Sequence, residues 1–292
     1  MNVADDAAVP RLDTSVAHPA RRYNWWLGGK DNFEADRVSG AAIAERWPAI
    51  VIAARQNRAF LQRAVRYAAA RGIRQWLDIG TGLPTADNTH EVAQSVDPTC
   101  RIVYVDNDPL VLAHARALLT STPKGATSYL DADLREPQKI LKSPELTATL
   151  DLDKPVSLNL VAILHFLHDD AQAYAVVETL KDALAPGSLL VLSHGSYDLV
   201  PKPFVKALTA DDYPGHGDFH ARTRGEVDAF FSGFNFVEPD PDDPDKDLDK
   251  PELGLVSEWG RKPNDPEIPE PQDVSTWGSV ARKPDPTNAG RH

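Results

Sequence analysis

Three aspartates stand at the ends of successive apolar runs: Asp78 in WLDIGTGLPT, Asp106 in VYVDNDP and Asp133 in YLDADLRE. Gly80-Thr81-Gly82 follows the first. Glycines just after a strand let backbone approach a ligand with no Cβ in the way, and a helix starting beyond them presents unpaired N–H groups. The dinucleotide signature G-x-G-x-x-G lacks its third glycine here, since LPTA follows Gly82. By itself this G-x-G is open to a plain reading as a turn; Pro84 suits the first turn of a helix. A carboxylate at the place of Asp106 can accept hydrogen bonds from two ribose hydroxyls, whether the nucleoside belongs to NAD or to S-adenosylmethionine (SAM). Asp133, or the backbone beside it, can read the amino edge of an adenine. One aspartate at a strand end is ordinarily a turn or cap residue. Three in register point to a nucleoside site.

Histidines follow in the next two runs. ILHFLHDD sets His165 and His168 just past the fourth, and His194 ends the fifth. A histidine there can act as a general base, because its pKa lies near neutrality, or it can be a hydrogen-bonded structural residue. No H-E-x-x-H spacing is present, so no metal site is expected. Upstream, RRYNWWLGGKDNFEADR has neither the G-x-x-x-x-G-K-[ST] spacing of a phosphate loop nor a strand before it. Two readings of that stretch stay open. Trp25 and Trp26 can pack N-terminal helices onto the sheet, or the segment can form a lid over the strand ends. The lid is the expectation, with Tyr23, Lys30, Asp31 and Asn32 closing on the ligands and Gly28 and Gly29 letting the turn bend. Arg58, with Asn57, can reach that lid; Arg55, Arg63 and Arg66 read as a solvated helix face.

The elements that must position these residues alternate. Strands are expected at 74–79, 101–106, 126–131, 155–164 and 187–194, with helices at about 85–96, 109–119, 136–148 and 169–185. Upstream, Phe60, Leu61, Ala64, Val65 and Ala68 recur at helical spacing within a helical region from Phe33 to Gly72. A helix at 224–233 leads to FNFVEP and GLVSEW, two strands separated by an acidic loop at 240–252 with seven acids against two lysines. VSEWGRKP at 256–263 reappears as VSTWGSVARKP at 274–284, and the first copy is expected to supply the last strand. The division that follows is a flexible leader at 1–18, a helical cap at 19–72, a nucleoside-binding domain at 73–260, and a Pro-rich, disordered tail at 261–292. Apolar strands alternating with helices imply a mostly parallel sheet covered on both faces.

LDIGTGLPT, VYVDNDP and DADLRE together resemble a class I SAM-dependent methyltransferase. With ARRYNWWLGGKDNFEADR, NRAFLQRAVRY and LHFLHDD added, the chain is similar, from about Asp13 to Trp259, to a family of S-adenosyl methyltransferases common in actinobacteria. One departure is Asn24, where that family has Asp after the Tyr; the charge is lost, and with it an acid–base role there. The resemblance implies an α/β, Rossmann-like fold with a seven-stranded, mostly parallel sheet, an N-terminal helical cap, and an antiparallel hairpin of the last two strands. It implies SAM as cofactor and S-adenosylhomocysteine (SAH) as product, held by Asp78, Gly80, Thr81, Gly82, Asp106, Asn107, Asp133 and Leu134. His165 is the candidate base, with His168, His194, Tyr23, Lys30, Asp31, Asn32 and Arg58 as lid or acceptor candidates. It does not supply the methyl acceptor.

Composition narrows the alternatives. The 292 residues carry a formal net charge of −12, leaving no basic excess for a nucleic-acid partner. A single cysteine, Cys100, allows no intramolecular disulfide and fits a reducing compartment. No apolar run approaches the roughly 20 residues of a membrane span, and the N-terminus lacks a signal-peptide pattern, so a cytoplasmic location is expected. The expected partner is a small, partly apolar acceptor; the sequence does not indicate an oligomeric state. The rival readings are a non-catalytic SAM-binding protein and a nicotinamide-dependent oxidoreductase, the latter disfavoured by the missing third glycine.

Overall fold

The computed structural model describes residues 13–84, 87–111, 121–213, 217–243, 245–248, 251–262 and 265–286. Five parallel strands form the centre of the molecule: β1 (Gln75–Ile79), β2 (Arg101–Asp106), β3 (Ala126–Asp131), β4 (Ser157–Val161) and β5 (Leu189–Gly195). Three more complete an eight-stranded sheet: β6 (Asn235–Val237), β7 (Gly254–Leu255) and β8 (Thr276–Arg282). The order is β3-β2-β1-β4-β5-β8-β6, with β7 paired to β8, and β8 runs antiparallel to all of its neighbours. The sheet reverses its winding between β1 and β4, which opens a crevice at their carboxyl ends where doubly wound sheets bind ligands.

Side chains alternate across the strands, so each face builds its own core. Leu77, Val103, Leu158 and Leu190 face one way and pack under α5 (Pro137–Leu141), α6 (Pro144–Thr149) and α7 (Asp170–Asp182). Trp76, Ile102, Tyr104 and Val191 face the other, against α3 (Ile50–Ala70) and α4 (Thr89–Val96). Phe60, Leu61, Ala64, Val65 and Ala68 form the buried stripe of α3, as their spacing requires. Ahead of α3 lie α1 (Pro19–Trp26) and α2 (Glu34–Arg46). Three short helices follow β5: α8 (Lys202–Leu208), α9 (Arg224–Ala229) and α10 (Pro271–Val274). The helix expected at 109–119 lies outside the described residues beyond Val111. Among the described residues, no helix is long and apolar enough to cross a membrane.

The last strand corrects the sequence expectation. Only Gly254 and Leu255, just ahead of the first VSxWG copy, join the sheet; the second copy, placed in an expected disordered tail, forms the seven-residue β8 between β5 and β6. The two copies differ in the run after their Trp-Gly. In the first, Arg261-Lys262-Pro263 follows at once, whereas the second inserts Ser279-Val280-Ala281, enough extended chain to cross the sheet before the proline. Val280 and Ala281 are wholly buried there. Trp259 of the first copy instead packs edge-on against Phe60 and Tyr67 and donates its indole N–H to the Val237 carbonyl at 3.0 Å.

Candidate active site

A cavity of about 830 Å³ opens along the carboxyl ends of β1 to β5 and is covered by α1, α2 and α3. Its floor begins at the turn after β1. Gly80 sits at φ +72°, and a Cβ there would come within 2.5 Å of Ile163, so the position requires glycine. The Gly80 N–H donates to the Val105 carbonyl at 2.8 Å, holding the turn against β2. The Gly82 N–H donates to one oxygen of Asp106 at 2.8 Å, and the Asp108 N–H donates to the other at 2.9 Å. Asp106 therefore joins the loops after β1 and β2, and its burial pushes its pKa up.

Asp78 is almost completely buried and accepts a 2.6 Å hydrogen bond from the Thr89 hydroxyl at the start of α4. Burial pushes its carboxyl up to about 6, against the opposing pull of that hydrogen bond and of the Arg58 charge. Arg58 donates to the Asp87 carbonyl at 3.1 Å, bringing α3 over the loop ahead of α4. Asp133 accepts from the Arg135 backbone N–H at 2.8 Å, pairs with its guanidinium at 3.0 Å, and receives a 3.3 Å bond from Asn107.

Beyond β4, Ala162 has φ +55°, a conformation uncommon for a residue with a Cβ; its N–H donates to the backbone carbonyl and the hydroxyl of Ser193, both at 3.1 Å. The Ser193 hydroxyl donates to the Asn57 Oδ1 at 2.6 Å, Asn57 donates to the Tyr23 hydroxyl at 3.0 Å, and Tyr23 donates to the Ala54 carbonyl at 2.9 Å. This buried relay fastens the cap to the sheet. His165, on a 3₁₀ turn over Leu164–Phe166, is buried with its Nδ1 lacking a hydrogen-bond partner. Burial, followed by the neighbouring His194 and Arg222, holds its pKa well below the usual histidine value, so the ring is neutral.

The structure brings most of the expected residues to one place. Asp78, Gly80, Thr81, Gly82, Asp106, Asn107, Asp133 and Leu134 all line the cavity, as do Tyr23, Arg58, His165 and His168. His168 stands exposed at the rim, its ring stacked on His220. His194 does not line the cavity. Its Nδ1 donates to the Gly195 carbonyl at 2.7 Å and its Nε2 accepts from Arg222 at 3.0 Å, the tautomer being fixed by these partners. Burial first, opposed by the Gly195 bond, pushes its pKa down to about 3, so it is a structural neutral ring.

Lys30, Asp31 and Asn32 do not line the cavity either, because the turn before them closes a helix. The N–H of Gly28, at φ +81°, bonds to the Trp25 carbonyl and that of Gly29 to the Asn24 carbonyl, the paired bonds of a Schellman cap. Any Cβ on Gly29 would overlap the Asn24 side chain. Asn32 donates to the Asn24 side chain at 2.9 Å and to the Gly29 carbonyl at 3.0 Å, which gives Asn24 a structural task. The tryptophans divide the two readings. Trp25 packs on Gly40 of α2, while Trp26 donates to the Gly40 carbonyl at 3.2 Å and also lines the cavity. His18 and Arg21 tie the start of this cap to Asp108, at 3.1 and 3.5 Å, beside Asp106.

Several site residues carry no local signal. Buried Arg22 pairs with Asp218 at 2.7 Å across the cavity wall. Arg222, 1% exposed, donates to the carbonyls of Leu164 and Leu167 at 3.0 and 2.8 Å, fixing the loop that carries His165, and pairs with Asp170 at 2.8 Å. Trp47, Tyr197, Tyr213 and Phe219 also line the cavity from segments far apart in the chain. Among the described residues, no group of three His, Cys, Asp or Glu is placed to hold a metal ion.

Residues 5–284 match the model of the S-adenosyl methyltransferase family. The chain belongs to that family. A DUF574-family protein of Streptomyces avermitilis, 41% identical, superposes with a TM-score of 0.84 over 94% of this chain and 100% of its own. A candidate methyltransferase of Thermobifida fusca is 38% identical, with a TM-score of 0.80 over 96% and 100% of the two chains. No curated protein matches. This S-adenosyl methyltransferase uses SAM as its methyl donor, on the Rossmann-like, mostly parallel sheet described above.

Proposed function

We propose that this methyltransferase holds SAM across the carboxyl ends of β1 to β3 and methylates a small molecule enclosed with it beneath α1, α2 and α3. The observation that carries this reading is the continuity of one cavity from the Gly80–Gly82 turn and Asp106 to apolar walls supplied by the cap. The residues fit the cofactor. At Gly82 an added Cβ would have no neighbour nearer than 4.0 Å, so its backbone is open to a ligand, and Asp106 is an acceptor suited to a ribose diol. Asp78 is a buried carboxylate suited to the α-ammonium of the cofactor's amino-acid end. Asp133, with Asn107 and the backbone at Leu134, is suited to the adenine edge.

Bound SAM supplies an electrophilic methyl group on a sulfonium. The chain then has to orient the acceptor and exclude water, tasks for which proximity and alignment are the main source of rate. The relay from Ser193 through Asn57 to Tyr23 holds the cap down over the cavity, and Ile163, packed against Gly80, lines it as well. His165, neutral and poorly basic, serves to orient the acceptor more than to abstract its proton.

Ultraviolet cross-linking of methyl-labelled SAM followed by peptide mapping tests the placement. Label confined to residues 76–84, 104–108 or 131–135 and competed by SAH is the expected result. Label elsewhere, or label displaced by NAD but not by SAH, overturns it.

A further inference from the structure

Resting on that placement of the cofactor, we infer that the acceptor is an uncharged aromatic alcohol whose hydroxyl meets His165. The cavity has one wall of consecutive rings. Tyr197 and Phe219 lie 5.4 Å apart between centroids, Phe219 and His165 4.9 Å, and His165 and Phe166 4.4 Å. Gly195 lets this wall form, since a Cβ there would come within 3.0 Å of the Phe219 ring. Trp47, Ile50 and Leu208, of an apolar cluster between the cap and α8 against which Tyr197 also packs, line the cavity as well. A ring slotted between these surfaces gains burial and offset or edge contacts.

Several polar side chains around this chamber already have partners within the protein. The Tyr213 hydroxyl donates to the Leu208 carbonyl at 2.6 Å, Tyr23 to Ala54, Trp26 to Gly40, and Arg22 is paired with Asp218. A charged acceptor entering here loses its hydration, and the buried Arg22 is already paired, which is unfavourable. On the ring wall, the buried Nδ1 of His165 has no partner. A neutral imidazole offers a donor or an acceptor at that atom according to tautomer, and a hydroxyl, being both, satisfies either form. Methylation of such a hydroxyl forms a C–O bond, leaves the C–S bonding pair on sulfur, and sends the hydroxyl proton to water.

Calorimetry on the full chain saturated with SAH tests this, with 2-naphthol, 2-naphthoate and 2-naphthylmethylammonium as probes. The neutral phenol is expected to bind about tenfold or more tightly than either ion, because only the ions must shed charge solvation. Ala53→Leu, which fills the chamber, and His165→Phe, which removes the nitrogen, are each expected to weaken 2-naphthol severalfold while the SAH affinity of the same variant stays at the wild-type value. That unchanged SAH affinity also shows that the variant is folded. No binding of 2-naphthol to the SAH complex, equal or tighter binding of an ion, or indifference to Ala53→Leu overturns the inference. Failure of the wild-type chain to bind SAH at all contradicts the cofactor placement instead.

Discussion

A carboxylate buried at the end of β1 needs a compensating cation, and Asp78 has only the Thr89 hydroxyl and the field of Arg58. Its folded pKa, pushed up to about 6, lies above the reference value of 3.8. Between those values the folded chain keeps a proton that the unfolded chain has lost, so stability falls as pH rises through that window and the penalty is complete above it. A two-unit shift corresponds to about 3 kcal/mol at most. Asp78→Asn is therefore expected to raise Tm at pH 7.5 and to match wild type near pH 4, while its SAM affinity at pH 7.5 falls about tenfold through loss of the ammonium's partner. A variant that is no more stable at pH 7.5, or that binds SAM as well as wild type, contradicts this role. Asp78, Asp106 and Asp133 were legible in the sequence because a strand end and its following turn are local features. His194 was not. The expectation placed it at the rim of the site, but Arg222, 28 residues away, and the Gly195 carbonyl occupy both of its ring nitrogens.

Among the elements, β8 most changes what the chain can tolerate. It separates β5 from β6 and also carries β7, so without it those strands face water along hydrogen-bonding edges. Truncation after Gly260 is expected to abolish the cooperative thermal transition, and Val280→Asp in the full chain to lower Tm sharply by burying a charge among apolar neighbours. A truncated chain that melts like the full one removes β8 from the core. The five parallel strands could be read from apolar runs, whereas the choice between two VSxWG copies depended on which run is long enough to cross a sheet already formed. The Gly28-Gly29 pair shows a related ambiguity. From the sequence these two glycines are expected to bend a lid, and the bonds back to Trp25 and Asn24 make them a helix stop instead.

At the scale of the molecule, a Rossmann-like sheet supplies one side of the cavity and a three-helix cap encloses the rest. The cap is joined to the sheet by buried polar links, through Tyr23, Asn57 and Ser193 on one side and through His18, Arg21 and Asp108 on the other. Enclosure suits a small acceptor, and a net charge of −12 gives no general attraction for nucleic acid. Such long-range links lie between segments that sequence periodicity cannot relate, which is why Asn57 was expected to reach the cap but the links to Ser193 and Asp108 were not. Ligand-linked stability follows from the enclosure: SAH at about 100 times its Kd is expected to stabilise the fold by about 2.7 kcal/mol, read as a rise in Tm. An unchanged Tm at saturating SAH contradicts it. The central claim, that this cavity holds SAM through the residue ending β2, is tested most directly by calorimetric titration of SAH and NAD into wild type and Asp106→Ala. Wild type is expected to bind SAH but not NAD, and the variant, losing the ribose acceptor and the tie to Gly82, to bind SAH at least about tenfold more weakly; wild-type preference for NAD, or a folded variant that binds SAH undiminished, would contradict it.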